Sequence, residues 1–475
     1  MNSRLSLAVA AALGAAVSLA AAPPRQADPP RRAATGAHAA GDVIKAVRRT
    51  GGPLPPGAAR AGEVVVTFQQ DADGSPAEKA LRDGRVGEVR RGRSGRRLLV
   101  TLSPDLTVAQ AIAAFSRLPG VRSVEPNGLL RKSQGTTFKP NDPYYADYQW
   151  NFTMVNAERT WGIQKGQSKV AVAVLDTGIA YEDYFDPVTK QSFHKAPDWG
   201  DTEFLPGHDF VNDDDHPNDD EGHGTHVAST IAEATNNDLG LAGLAFGCAI
   251  LPVKILDETG TGSVFAVAEG IDYAADYSSG GVNPVKVINL SLGSEDASDT
   301  IQAAINRAYD KGITVVAAAG NSGKGVVEFP ARGQHVLAIG ALDPLKNRAS
   351  YSNTGVDLEL MAPGGTCETT VTNSIGDCVF QQTLDQDAVA QGRFDTFCYC
   401  GLDGTSMATP HVSAVAALLY SQGFSDVSSV RQVLEQTAER LGGAPAGGRN
   451  DTYGYGLVRP AKALSGMGLG TGPQE

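Results

Sequence analysis

Cysteine is scarce in this chain, five in 475 residues, and no two stand in a Cys-x-x-Cys pair, so a zinc knuckle lacks its ligand spacing. The zincin pattern His-Glu-x-x-His is also missing, which excludes that route to hydrolysis. Beyond residue 22 no stretch is apolar enough to cross a bilayer, so no membrane span is expected. Basic residues are thin in the back half. Of the net charge of −13, residues 23–132 contribute +9, from 19 Lys and Arg against 10 Asp and Glu, and residues 133–475 contribute −23. A surface that acidic repels phosphate, so nucleic acid is not an expected partner. A basic front and an acidic back attract each other instead.

What is present begins with a targeting segment. Arg4 supplies a positive start, Leu5 to Leu19 an apolar run, and Ala20-Ala21-Ala22 small residues for cleavage, with Pro23-Pro24 following. Together they predict a signal peptide over 1–22 and a secreted protein, extracellular or periplasmic. Export permits disulfides. Cys367, Cys378, Cys398 and Cys400 cluster, which predicts two bridges in one loop and leaves three pairings open; Cys248 stands alone.

Residues 23–60, rich in Pro, Ala, Gly and Arg, read as a disordered linker. Residues 61–132 read as a small α+β module. Its strands are expected over Glu63–Phe68, Leu98–Leu102 and Val121–Pro126, and its helices over Pro76–Leu81 and Val108–Leu118, in a βαββαβ pattern. The basic run Arg90, Arg91, Arg93, Arg96, Arg97 reads as a solvated loop or a contact surface. Residues 133–475 alternate helices with continuous apolar runs, at Lys169–Leu175, Ala249–Leu256, Val285–Leu292, Ile313–Ala319 and Val336–Ala341. Such runs predict α/β architecture: a doubly wound, mostly parallel sheet flanked by helices. Functional groups then gather at the carboxyl ends of the strands.

The chemistry-bearing stretch is Gly404-Thr405-Ser406-Met407-Ala408-Thr409-Pro410-His411. It places a serine at the mouth of an apolar helix, where unpaired amides and the dipole favour developing negative charge. A serine needs a base and an orienting acid to become a nucleophile. Asp176 closes the first apolar run in Asp176-Thr177-Gly178. His223 sits in Gly222-His223-Gly224-Thr225-His226, and Asn321 in Gly320-Asn321-Ser322 just after another buried run. Two other histidines compete. His226 makes a His-x-x-His pair with His223, but without the zincin glutamate. His411 follows Ser406 by five positions on one helix, too close to serve it, and Gly404-x-Ser406-x-Ala408 lacks the second glycine of an α/β-hydrolase elbow. His411 is expected to pack.

These four blocks, in this order, resemble the subtilisin family of serine proteases over about residues 138–464. The resemblance implies a serine endopeptidase with a catalytic triad of Asp176, His223 and Ser406, and with Asn321 beside the Ser406 amide as oxyanion donors. It implies that Gly260-Thr261-Gly262 and Ser291-Leu292-Gly293 are the two edges between which a polypeptide substrate lies as an added strand. It also implies that 61–132 is an inhibitory propeptide of a zymogen, an intramolecular partner of an otherwise monomeric enzyme. Glu328 falls at the base of the primary pocket and Glu221 near the second, which suggests a preference for Lys or Arg. Arg131-Lys132-Ser133 would then suit self-processing. The alternative is a catalytically silent binding module on a protease scaffold.

Calcium is the expected cofactor, at one or two structural sites. Asp209, Asn212, Asp213, Asp214, Asp215, Asn218, Asp219 and Asp220 crowd one loop, and such density repels itself unless a hard cation neutralises it. Asp209, Asn212 and Asp214 match a calcium site of some relatives. The stretch Thr235–Leu241 resembles the family's tight calcium loop, with the Asn237 side chain, the carbonyls of Thr235, Leu239 and Leu241, and a carboxylate such as Asp142. Asp183 or Asp186 is the expected further acid. The 364–401 insertion is longer than in plain subtilisins and has no assigned purpose.

Overall fold

The computed structural model describes residues 59–69, 78–79, 81–82, 86–104, 106–128, 137–367, 377–443 and 448–465. The expected signal peptide, nearly all of the linker and the Arg131-Lys132-Ser133 junction lie outside the described residues. The chain divides into two compact units, 24–134 and the body of the chain from 135 onward.

In the front unit, alternation decides the sheet. Val64, Val66 and Phe68 of β1 (Ala59–Phe68) are buried together with Leu98, Val100 and Leu102 of β3 (Arg97–Leu102), as a period of two requires. With β2 (Val86–Arg91) and β4 (Val121–Gly128) they form an antiparallel sheet in the order β2-β3-β1-β4. Helix α1 (Val108–Phe115) packs on β1 and β4. It starts at a capping box in which Thr107 and Gln110 satisfy each other's amides. The basic run is a β-hairpin, because β2 ends on Arg90 and Arg91 and β3 begins on Arg97. All five arginines remain exposed.

In the second unit, strands β5 (Ala171–Asp176), β7 (Ala249–Lys254), β9 (Thr314–Ala318) and β10 (Val336–Leu342) are buried at every position. A strand can be apolar on both faces only if helices cover both, and they do. Together with β6 (His208–Asp209), β8 (Val285–Leu290) and β11 (Leu360–Pro363), these strands make a seven-stranded sheet in the order β11-β10-β9-β8-β5-β7-β6. Every pairing is parallel. Helices α2 (His223–Ala232) and α5 (Thr405–Ser421) pack on each other and on the sheet, and α3 (Val264–Asp276) and α4 (Asp299–Asp310) form a second such pair. Strand order reverses beside β5, with β7 on one edge and β8 on the other. The loops leaving β5 and β8 therefore diverge and open a crevice at their carboxyl ends.

The edge strands β6 and β11 escaped the apolar-run reading because they are only two and four residues long. The described part of the insertion is an antiparallel hairpin, β12 (Val379–Leu384) with β13 (Phe397–Leu402). β12 is buried throughout and lies against α2. Disulfides join Cys367 to Cys378 and Cys398 to Cys400, and Cys248 is a buried free thiol. No described helix is long and apolar enough to cross a membrane.

Candidate active site

Asp176 ends β5 and His223 begins α2. The His223 Nδ1 donates to Asp176 Oδ1 at 2.7 Å, with the carboxylate fully buried. Close backbone approach makes this possible. A side chain at Gly224 would put its Cβ 2.1 Å from the Gly178 carbonyl and 3.1 Å from the Asp176 Cβ. Burial pulls the His223 pKa down, but the Asp176 charge and hydrogen bond, helped by Glu221 and Asp219, outweigh it and push it up to about 9. The other Asp176 oxygen has no hydrogen-bond partner among the described residues.

Ser406 sits in the first turn of α5. Its hydroxyl donates to the Ser291 carbonyl at 3.0 Å. Pro410, four residues on, has no N–H to close the helical bond to the Ser406 carbonyl. That carbonyl accepts from Ser291 Oγ at 2.8 Å instead. Asn289 extends the tie, donating to Ser291 Oγ and accepting from Ser413 Oγ. Asn321 follows β9. Its Oδ1 accepts from the Thr405 amide and hydroxyl, both at 2.8 Å. With Oδ1 so occupied, Nδ2 is the end of the amide available to an outside acceptor. A Cβ built on Gly404 would lie 3.4 Å from Asn321 Nδ2 and 3.6 Å from Ser406 N. Two donors therefore face one small space beside the serine, an arrangement suited to a developing oxyanion.

Residues 167–456 match the model described as "Subtilase family", and residues 54–127 match the "Fervidolysin N-terminal prodomain". The chain belongs to the subtilase family. A thermophilic serine proteinase of Bacillus sp. (strain AK1) is 35% identical over 404 residues, 85% of this chain and 87% of its own. Thermitase of Thermoactinomyces vulgaris is 37% identical over 66% of this chain and 98% of its own. Among solved structures, a protease from Pseudoalteromonas arctica superposes with a TM-score of 0.57 at 30% identity, covering 69% of this chain and 98% of that one. The protein is thus a subtilisin-like serine protease with an N-terminal prodomain.

Several carboxylates of the acidic loop of this subtilase are met by donors from the chain itself. Buried Asp219 accepts from Thr177 Oγ1, the amides of Glu221 and Gly222, and the amide and hydroxyl of Thr225. Asp220 pairs at 2.6 Å with Lys254, whose side chain is 1% exposed and also donates to the carbonyls of Thr177 and Leu256. Asp209 takes the amides of Val211 and Asn212 and the Asn212 side chain, and Asp214 takes the His216 amide. Among the described residues no three Asp, Glu, His or Cys side chains form a group able to hold a metal ion.

The second calcium candidate looks different. Asp142 accepts from the Asn236 amide, and Asn237 Nδ2 donates to Asp198 Oδ1 at 2.7 Å. Asp198 is therefore the further acid beside this loop; Asp183 and Asp186 lie elsewhere, bonded to Lys195 and to Val188 and Thr189. Burial pushes the pKa of Asp142 and of Asp198 up. Fully buried Glu233 feels the charges of both, and neither of its carboxylate oxygens is hydrogen-bonded among the described residues. Carboxylate, carboxamide and carbonyl oxygens are the donor types that a hard cation takes, and this loop carries all three.

The two stretches expected to edge a groove follow the carboxyl ends of β7 and β8. Asp176 O accepts from Ile255 N and Leu256 N, which sets the Gly260–Gly262 loop beside β5. Ser291-Leu292-Gly293 leaves β8 next to Ser406. Glu328 lies beneath both Gly293 and Gly320, where an added Cβ would come within 2.6 Å and 2.4 Å of its carboxylate atoms. Its Oε1 accepts from Ser322 and Asn353. Glu221 is turned inward, with Oε2 accepting the His223 amide at 2.7 Å. The rival histidines are structural. His226 Nε2 reaches the carbonyls of Val379 and Cys400, His411 lies between Met407 O and Asn151, and burial pulls their pKa values to about 3 and about 4. Replacing Gly224 with alanine should part His223 from Asp176 and lower kcat/KM about 100-fold; a kcat/KM within twofold of the parent would refute that account.

Proposed function

We propose that this subtilase is an exported endopeptidase in which Ser406 attacks the scissile carbonyl carbon while His223 Nε2 takes the hydroxyl proton. Asp176 holds the imidazole in the tautomer that leaves Nε2 free to accept, and stabilises the imidazolium. The tetrahedral oxygen is met by Asn321 Nδ2 and the Ser406 amide. Collapse expels the amine with the proton from His223, and water then repeats the sequence on the acyl-enzyme. The observation that carries the reading is the 2.7 Å bond between His223 and buried Asp176. Stoichiometric labelling by a serine-directed fluorophosphonate, abolished in Ser406→Ala, tests it. A folded parent that takes no label would leave the silent-scaffold alternative.

The proposal extends to processing. Residues 1–22 direct export, 23–60 link, 61–132 inhibit intramolecularly as the propeptide, and 133–475 catalyse as a monomer. Opposite charge on the two halves supports the propeptide's role. Glu328, beneath the Gly293 and Gly320 edges, supports a preference for Arg or Lys before the cut, and Arg131-Lys132-Ser133 is then the self-processing site. Glu221 contributes less to selectivity, since one of its oxygens is already engaged by His223. Calcium is proposed at Asp142, Asp198, Asn237 and the carbonyls of Thr235, Leu239 and Leu241. When bound, it supplies charge neutralisation and loop rigidity and takes no part in the chemistry.

Three outcomes check these points. An imidazole titrating at about 9 is protonated and unable to accept a proton below that pH, so kcat/KM should climb as pH rises through about 9, and Glu221→Gln should lower the midpoint. A profile flat from about 7 to 10 contradicts this. Among matched peptides the Arg substrate should lead Phe and Leu, and Glu328→Gln should cut its kcat/KM about 10–100-fold, the usual worth of a charged hydrogen bond. Chelation should lower Tm in the parent but not in Asp198→Asn; a parent Tm indifferent to chelator would remove calcium from the proposal.

A further inference from the structure

The β12–β13 hairpin adds no strand to the main sheet, yet it is tied to α2 along the helix. Thr383 Oγ1 donates to the Gly222 carbonyl, His226 Nε2 donates across both hairpin strands to Val379 O at 3.0 Å and Cys400 O at 3.2 Å, and Ser229 Oγ donates to Gln382 O at 3.3 Å. Positions 222, 226 and 229 are spaced by four and three, so they lie on one helical face. Gln386 Nε2 completes the seam by donating to the Glu221 carbonyl at 2.7 Å. Buried hydrogen bonds add little net stability but select one register, because any other leaves polar groups unpaired. The seam therefore fixes where the hairpin sits on the helix.

Its upper end lies at the turn that opens α2. Gly222, at φ +113°, offers no side-chain cap. A Cβ there would stand 2.9 Å from Thr383 Oγ1 and 3.1 Å from Gln386 Nε2, so glycine is what lets the hairpin close on the turn. His223 is the next residue, and its ring direction follows from that backbone. We propose that the hairpin is a positioning element for the catalytic histidine, with Thr383 and Gln386 holding the Glu221–Gly222 turn so that His223 meets Asp176. This rests on the reading of His223 as the general base.

The test uses the processed enzyme and a peptide with alanine at the second position before the cut, so that Glu221 has no charged partner there. Thr383→Val keeps the branched shape and removes the hydroxyl. It should lower kcat about tenfold or more with KM held, and shift the pH midpoint of kcat/KM. The titratable groups that face His223 are Asp176, Glu221, Asp219 and the neutral His226; the hairpin adds Asp385 and Asp387 on either side of Gln386. Thr383→Ser, which restores the donor, should restore both readouts. A Thr383→Val enzyme with a lowered Tm but parental kcat and pH midpoint would show that the hairpin only braces the fold. Should that variant fail to fold, the half-buried Gln386→Ala serves in its place, and parental kcat and midpoint there overturn the proposal equally. Fluorophosphonate labelling of the parent separates the two ideas. A labelled parent with indifferent variants defeats the positioning role alone, whereas an unlabelled parent defeats the protease reading and the positioning role with it.

Discussion

The carboxylate of Asp219, buried between the end of β5 and the start of α2, is the contact on which the site's assembly depends. It accepts from Thr177 on one side and from Glu221, Gly222 and Thr225 on the other. Thr177 in turn bonds Asp176 Oδ1 through its amide, and its hydroxyl receives the Gly224 amide. A strand end and a helix start 47 residues apart in numbering are thereby drawn together around one charge. An isolated buried carboxylate is costly, and donors on both sides are what make it tolerable. Each side of the junction consequently needs the other.

The same logic recurs in the rest of the second unit. Lys254 is buried because Asp220 and two carbonyls surround its ammonium. Pro410 interrupts the helical ladder of α5, and the carbonyl it frees binds Ser291, tying the serine-bearing turn to the end of β8. The apolar strands supply the bulk of the driving force, since each fully buried Val, Leu or Ile contributes about 1.5–3 kcal/mol. They cannot aim a side chain, however. Direction comes from the polar ties at the carboxyl ends, where the apolar strands stop and the crevice opens.

Much of this was legible along the chain, for identifiable reasons. The runs that became β5, β7, β8, β9 and β10 are continuous because they are buried on both faces, and that pattern is local. Gly-His-Gly and Gly-Thr-Ser-Met-Ala stand out because close approach and helix-end chemistry restrict their neighbours. The acidic loop was less legible, for a complementary reason. Counting carboxylates from 209 to 220 gives a repulsion, but the donors that relieve it come from Thr177, Thr225 and Lys254, which no window of sequence contains. Asp198 was missed likewise, because its tie to Asn237 is made in space. The basic run at 90–97 hid a hairpin because charged, exposed strands carry no apolar alternation.

The sequence by itself determined the parallel architecture, the α+β front unit and the identity of the residues with chemical potential. Each of these follows from short-range periodicity or from residue type. Only the tertiary structure decided which acids are neutralised by which donors, that Glu221 turns toward the His223 amide, which cysteines pair, and that the inserted hairpin lies along α2. Those outcomes depend on distances between remote segments. Electrostatic and hydrogen-bond energies fall off over a few ångströms, so they are settled only when packing has set the separation.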